Sequence, residues 1–497
     1  MKTRILLLFL VCVMMLLPLA GCKKDKGPAT TNPQGNQGAA DDGELYDSEG
    51  YLKDSLPKDL RYEDQEIRVL HWTEADILEF NPSESTVVVT EKAIWERDRQ
   101  VEERLGVYFT WLPIKGHWQS ESSFLSKVQE TMDSGDTSAY DIIATYSQSA
   151  ALISTRGLIK DVKDNLYLDL DKPWWPEALT ETFTISDDLY FVSGDLSTTF
   201  LSQMIGVYFN KAFFPDQNMY DLVYDGQWTL DTMLELSKSV GSDIDNEPGK
   251  TKGDRYGVVV PWEIYLDGFF YGCDMIMVDK DTNGALRVNS SYVGERADTV
   301  AEKLKTLFHS SIDGWFTNEG SPIEAFSGGR AAFMVAPGVA LLNVNDVRDS
   351  EVDYGILPMP KYDIAQKEYK TVCTNLISLY CIFAAKNTDE ANRAGAVLEC
   401  MASEGHRRIA PVVFNTCLQL RYAKDGDTGK MFDLIRAGVA FDIGRVYSRA
   451  ALNDITQSKW QRCVIDGNKV WGAQVATIDA QLQTLLDDLQ ELFDSKA

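Results

Sequence analysis

EAFSGGRAAFMVAPGVALLNVNDVRDSEVDYGILPMPKYD, residues 324–363, is the stretch whose reading decides the fold. A short helical end at 323–326 runs into Gly328-Gly329, which permit a sharp turn and close backbone approach. The small, apolar run 331–335 then reads as a strand threaded tightly between neighbours. Pro337-Gly338 breaks it, and a short helical segment is expected next. Tyr354-Gly355-Ile356-Leu357 leads on into Pro358-Met359-Pro360. Such a segment suits a chain that leaves one lobe, crosses to another and forms a wall of the gap.

Upstream of it, strand and helix alternate. Strands are expected at 66–72, 107–111 and 141–144, and helices at 90–105, 122–132 and 147–156, with Gly106 and Gly157 as stops. Units of about thirty to forty residues in this order predict a parallel sheet with crossover helices. A strand at 190–192 and another beginning at Gly206 follow. Then come a helix capped by Thr229, a strand at 256–260 and a helix at 296–308. Beyond the opening stretch, a buried strand at 376–383, a helix at 389–401 and a long helix at 475–493 close the chain. Once the ends are set aside, about 440 residues remain, too many for one ordinary core. Two lobes are therefore expected.

Three patterns carry a resemblance. Ala325-Phe326 through Gly329 to Ala331-Ala332-Phe333, followed by Tyr354-Gly355 and Pro358-Met359-Pro360, resembles extracellular solute-binding proteins of ABC importers, the maltose-binding-like branch. The order Tyr208-Phe209-Asn210-Lys211, then Trp228-Thr229 and Met233, is similar to the second-lobe entry of that family. The resemblance implies an α/β, two-lobe, periplasmic-binding-protein-like (type II) fold with hinge strands between the lobes. It also implies that the opening stretch returns the chain from the second lobe to the first. The expected division is 61–192 plus 331–372 for the first lobe, and 193–330 plus 373–497 for the second with its C-terminal helices.

The N-terminal residues are expected to lie outside the fold. Lys2 and Arg4 precede an apolar run at 5–17 that is short for a membrane span, and Leu19-Ala20-Gly21-Cys22 looks like a bacterial lipobox. Residues 1–21 thus read as a lipoprotein signal peptide, Cys22 as the lipidated residue, and 22–60 as a flexible tether poor in large aliphatic side chains. The formal charge is −27, or −29 once the two positive charges of Lys2 and Arg4 are removed. That argues against nucleic acid and anionic lipid as partners. Beyond Cys12 in the apolar run and Cys22, six cysteines show no C-x-x-C pair, and several lie in apolar runs, where free thiols behave as small buried hydrophobes.

Chemistry for catalysis is missing from the motifs. His71, His117, His309 and His406 are not at metal-ligand spacing, and no nucleophile elbow, P-loop or dinucleotide fingerprint is present. Neither enzyme activity, nor a metal, nor a cofactor is expected. Binding is better served. In open α/β sheets ligands sit beyond the carboxyl ends of strands, and residues with suitable faces follow several strands here. The expected ligand-binding residues are Trp72, Glu74, Tyr146, Ser147, Asp195, Trp262, Asp267, Phe269, Pro337 and Gly338. Aromatic faces beside carboxylates and amides suit the C–H face and hydroxyls of a sugar. With the resemblance, this implies a monomeric, lipid-anchored protein on the extracellular face of the membrane. It would hold an oligosaccharide between its lobes and deliver it to an ABC permease. Two rivals stay open: a peptide- or amino-acid-binding protein using Arg255 or Arg330 for a carboxylate, and a surface carbohydrate-active enzyme.

Overall fold

The computed structural model describes residues 46–47, 50–73, 79–338, 347, 350–418 and 426–496. The expected signal peptide, Cys22 and most of the expected tether lie outside these residues. So do Glu74 and, apart from Val347, the helical segment expected after Gly338. Met1–Leu52 and Lys53–Ala497 form separate units. The described part of the first is a turn in which the Tyr51 N–H donates to Asp47 Oδ1 at 2.9 Å.

The second unit opens with β1 (Gln65–Thr73), α1 (Val89–Leu105), β2 (Val107–Lys115), α2 (Glu121–Asp133), β3 (Ile142–Tyr146) and α3 (Ser147–Thr155). Ile94, Val101 and Leu105 recur at helical spacing and are buried along one face of α1. Gly106 ends that helix at φ 61°, a left-handed conformation that glycine takes without steric cost, and donates to Glu102 O at 2.9 Å. β1 pairs in parallel with both β2 and β3, as crossover helices require.

The remaining strands are β4 (Ile205–Asn210), β5 (Tyr256–Val260), β6 (Val278–Lys280), β7 (Leu286–Val288), β8 (Gly314–Phe316), β9 (Ala331–Pro337), β10 (Tyr354–Leu357), β11 (Thr371–Val372), β12 (Ser378–Ile382) and β13 (Val439–Ala440). Two sheets dominate, one in the order β12-β3-β1-β2 and one in the order β10-β4-β9-β5-β8. Every residue of β3, β4, β5, β9 and β12 is buried, which explains why these strands read as continuous apolar runs.

The expected allocation of 331–372 to the first lobe is corrected by the pairing. β9 lies antiparallel to β4 and parallel to β5, and β10 is antiparallel to β4, so the opening stretch stays in the second sheet. Conversely β12, expected in the second lobe, pairs antiparallel with β3 in the first. The chain returns at residues 373–377, after the stretch expected to carry it. A strand buried on both faces bears no pattern that says which sheet it joins.

Two segments run between the sheets. Residues 193–204 leave the first sheet, where Val192 bridges Tyr380, and reach the second beside the Met204–Cys373 bridge. Residues 373–377 run back antiparallel to them, with Thr374 N donating to Gln203 O at 2.9 Å. The helix Thr388–Leu418 packs on α1 and continues past the expected 389–401 through Pro411. The helix Trp471–Asp494 lies on β7 and on the helix Glu295–Lys305. Its Phe493 ring meets Tyr190 at 5.4 Å and Tyr447 at 5.9 Å. Cys273, Cys373, Cys381, Cys400 and Cys463 are free and buried. No helix among the described residues is long and apolar enough to cross a membrane.

Glu399, on the long helix, is fully buried and accepts from Trp175 Nε1 at 2.9 Å and Asp169 N at 3.3 Å. Burial pushes its carboxyl up from 4.5 to about 7, against these hydrogen bonds. A carboxyl raised in the folded state binds protons that the unfolded chain has lost. Its contribution to stability therefore falls as pH rises from about 4.5 to 7. Glu399→Gln should remove that slope. Urea melts across pH should show the variant gaining on the wild type by about 3 kcal/mol between pH 4.5 and pH 7.5, following the shift of two to three pKa units.

Candidate functional site

Both sheets bring the carboxyl ends of their parallel strands to the two crossing segments. In the first sheet β1 ends at Trp72-Thr73 and β3 at Tyr146, directly opposite Ser378, where β12 begins. β2 ends at Lys115, and the turn 116–120 leads to Glu121, the first residue of α2. In the second sheet β5 ends at Val260 before Pro261-Trp262, and β9 ends at Pro337, opposite Ile205 of β4. Gly338 N donates to Met204 O at 3.1 Å, beside the crossing.

Aromatic rings line the first-sheet side. Trp72 is fully buried, donates to Ser378 Oγ at 2.8 Å, and sits 5.6 Å from the Tyr146 ring. His117 lies 6.1 Å from Tyr146 and 5.7 Å from Trp118, a residue 46% exposed. On the second-sheet side Trp262 is 39% exposed, and half-buried Tyr265 follows it on the short helix Glu263–Leu266. Burial pushes the Tyr146 and Tyr265 phenols up, so both stay protonated as hydroxyl donors.

A chain of buried polar groups joins the two sides. Tyr146 Oη donates to Gln148 Oε1 at 3.3 Å, and Gln148 Nε2 to Arg445 O at 3.3 Å. Ser147 Oγ donates to Asn375 O at 2.8 Å, and Asn375 Nδ2 to Gln457 Oε1 at 3.2 Å. From the other side Asp267 accepts from Arg445 Nη1, from Gln457 Nε2 and, at 2.8 Å, from Gln461 Nε2. Glu121 Oε2 faces Arg449 Nε at 3.2 Å. Burial pushes the Glu121 carboxyl above its ordinary range; Arg449 pulls it back and Asp454 adds to the rise.

Of the expected site residues, Trp72, Tyr146, Ser147 and Asp267 meet in this cluster. Trp262, Pro337 and Gly338 stand at the strand ends of the second sheet. Two stand apart. Asp195 is buried within a crossing segment and held by Arg436 Nη2 at 2.6 Å and His406 Nδ1 at 2.6 Å, while Phe269 is wholly enclosed. Arg255 and Arg330 directly precede β5 and β9, at the amino ends of those strands, so neither reaches the site as the carboxylate partner of the peptide reading. Sequence reading missed Glu121, Tyr265, Asn375, Arg445 and Gln457. Tyr265 lies three residues beyond Trp262 and was within reach of the strand-end rule. The others arrive on segments whose route is set only by packing.

A family model for bacterial extracellular solute-binding proteins matches residues 119–406, more than half of the chain. Among solved structures the chain is similar to a cyclo/maltodextrin-binding protein complexed with maltotetraose, at 12% identity and TM-score 0.55, over 85% of this chain and 96% of that one. It is also similar to the galacto-N-biose-/lacto-N-biose I-binding protein of the ABC transporter from Bifidobacterium longum in complex with lacto-N-biose. There the identity is 13% and the TM-score 0.54, over 86% and 98% of the two chains. The maltose/maltodextrin-binding domain from Bdellovibrio bacteriovorus bound to maltotriose gives 14% and 0.51, over 85% and 99%. At these identities the likeness is one of fold. No curated protein matches the chain.

A buried and an exposed ion pair should separate in stability. Asp195→Ala strands the partly covered Arg436 and should cost on the order of 3 kcal/mol in urea melts. Glu263→Ala loses only a solvent-exposed pair with Arg462, 3.6 Å apart, and should change stability by less than about 1 kcal/mol.

Proposed function

Because the chain belongs to the bacterial extracellular solute-binding protein family, we propose that it captures an oligosaccharide where the strand ends of its two sheets meet and delivers it unaltered to an ABC importer. The observation that carries this reading is the composition of that meeting point. Trp118, Tyr146, Trp262 and Tyr265 offer ring faces, and Glu121, Asn375, Arg445 and Gln457 offer hydrogen-bonding groups from elements on both sides. Rings take the C–H face of a pyranose, and the polar groups take its hydroxyls. Rejection of a wrong sugar follows from polar groups left unpaired.

The crossing segments at 193–204 and 373–377 are the natural hinge. An open form would bind through one lobe, and closure would add the contacts of the other. The permease then reads the closed form, with Cys22 as the lipid attachment that keeps the protein at the extracellular face of the membrane. The residues proposed for the ligand include the expected Trp72, Glu74, Tyr146, Ser147, Trp262, Asp267, Pro337 and Gly338. The structural neighbours bound to maltotriose, maltotetraose and lacto-N-biose support this choice of ligand class by their fold.

A thermal-shift screen of gluco-, galacto- and xylo-oligosaccharides together with di- and tripeptides tests the reading. A true ligand at 100 Kd should stabilise the protein by about 2.7 kcal/mol. Trp262→Ala and Tyr265→Ala should each weaken binding by tenfold or more, as expected for loss of a ring face worth about 1–2 kcal/mol. Stabilisation by peptides alone, or oligosaccharide hydrolysis above background, would sink it.

A further inference from the structure

Two short helices of the first lobe, α3 and the helix Glu177–Phe183, carry no basic residue in their last turn. A helix end leaves carbonyls without partners and a partial negative charge, which a nearby cation answers. Here the cations come from distant parts of the chain. Lys280 Nζ, on β6, donates to Glu181 O at 2.5 Å and to Thr184 O at 2.6 Å. Lys496 Nζ donates to Ser154 O at 2.7 Å, in the last turn of α3. Both lysines are half-buried, and burial pulls the pKa of each below its ordinary value. Carbonyls held in fixed geometry offset that loss of water.

Both lysines belong to elements seated on the second lobe. β6 pairs with β7, and the helix Trp471–Asp494 packs on β7 and on Glu295–Lys305, whose continuation at 306–310 lies on β8. Trp471 is fully enclosed and donates to Tyr292 O at 2.8 Å. Gln483 donates to Leu286 O and accepts from Val288 N, each at 3.1 Å. From there the helix runs on for about 36 Å in all, at 1.5 Å for each of its 24 residues. Its far end sits on the first lobe. Phe493 is enclosed against Tyr190 and Tyr447, and Gln490 Nε2 donates to Ser186 Oγ at 2.7 Å. Lys496 Nζ lies 5.5 Å from the centre of the Tyr190 ring and 5.0 Å from that of Phe493.

This seam is remote from the strand ends. Val192 bridges Tyr380 in antiparallel fashion, which sets Tyr190 level with Ile382, and Ile382 pairs with Ile142 at the start of β3. Tyr146 closes that strand, about 13 Å away at 3.3 Å per residue. The seam and the strand-end contacts are nevertheless formed together. Asn375 reaches Gln457, and Gln148 reaches Arg445 O, in the arrangement that seats Phe493.

Resting on the hinge reading above but not on the identity of the ligand, we propose that the helix Trp471–Asp494 is a strap between the lobes. Seating of Phe493, Lys280 and Lys496 on the first lobe holds the crossings in the arrangement in which the strand ends meet. A rotation of the second lobe about 193–204 and 373–377 carries the helix with it, slides Phe493 along Tyr190 and parts both lysines from their carbonyls. The two arrangements then differ by the seam, so weakening it shifts the population toward the parted form. A ligand that needs both lobes loses apparent affinity by the same factor, although no residue of the strap touches it.

Small-angle scattering and hydrogen-exchange mass spectrometry on the unliganded full chain test this. The variants are Lys280→Met/Lys496→Met, Phe493→Ala and, as control, Lys238→Met, which loses only an exposed pair with Glu235. Both strap variants should broaden the particle and raise exchange about tenfold at the strand ends, 116–121 and 261–266, on loss of two charge-assisted hydrogen bonds or of one buried ring. The control should change neither. The lysine pair keeps its apolar stems as methionine and carries the test if Phe493→Ala is too unstable to fold. Faster exchange confined to 150–155, 181–190 and 490–496, with an unchanged particle, makes the helix end simple packing and overturns the strap while the hinge stands. If one rigid profile describes the wild type, with and without the oligosaccharide panel, and both variants, the hinge reading falls and takes the strap with it.

Discussion

Ser378 is the point on which the arrangement of the two sheets turns. Its Oγ accepts from Trp72 Nε1 at the end of β1 and donates to Glu79 at 3.0 Å. Its N–H donates to Thr199 Oγ1 at 2.9 Å, and its carbonyl accepts from Ser193 Oγ at 2.8 Å. Thr199 and Ser193 belong to one crossing segment, and Ser378 ends the other. A single fully buried residue thus ties the carboxyl end of the first sheet to both connections leading to the second. Glu79, also buried, closes the knot by accepting from Tyr380 and Thr199 at 2.6 Å each. In so dry a place every unpaired group is costly, so the geometry of the crossings is narrowly specified.

From that constraint the site follows. With the crossings fixed, Tyr146 stands opposite Ser378, and Gly338 packs beside Ser202 and Met204. A Cβ on Gly338 would lie 3.2 Å from Ser202 O, so the end of β9 comes close to the crossing because this residue lacks a side chain. Elements from remote parts of the chain meet there, including the helix Gln457–Ile465 and the short turn around Arg445. Their polar side chains are held by one another, as in the Asp267–Gln457–Asn375 chain. For the ligand proposed above, these groups are already oriented, which would keep the ordering cost of binding low.

The acidic surface and the paired interior act at different ranges. The overall charge is spread over solvated side chains and is screened beyond about 10 Å at ordinary salt. Within the cluster each guanidinium faces its own carboxylate.

Much of the fold was legible because it is local. The period of Ile94, Val101 and Leu105, the Gly106 stop, the Thr229 cap and the run 256–260 each depend on neighbours within one element, and all stand where their patterns place them. The strand-end rule also led to Tyr146 and Trp262, since a strand's carboxyl end is visible in the chain itself. Sheet membership was not legible. β9 and β10 join β4, and β12 joins β3, through pairings of residues more than a hundred positions apart, and fully buried strands of similar composition give no hint of partner. Asp195 read as a ligand-binding residue, and only packing set Arg436 and His406 against it. By itself the sequence determined the longer strands and helices, their order and the α/β class, because short-range periodicity and caps fix those. Only the tertiary structure decided which strands share a sheet and which polar groups meet at their ends, because both rest on contacts between distant segments.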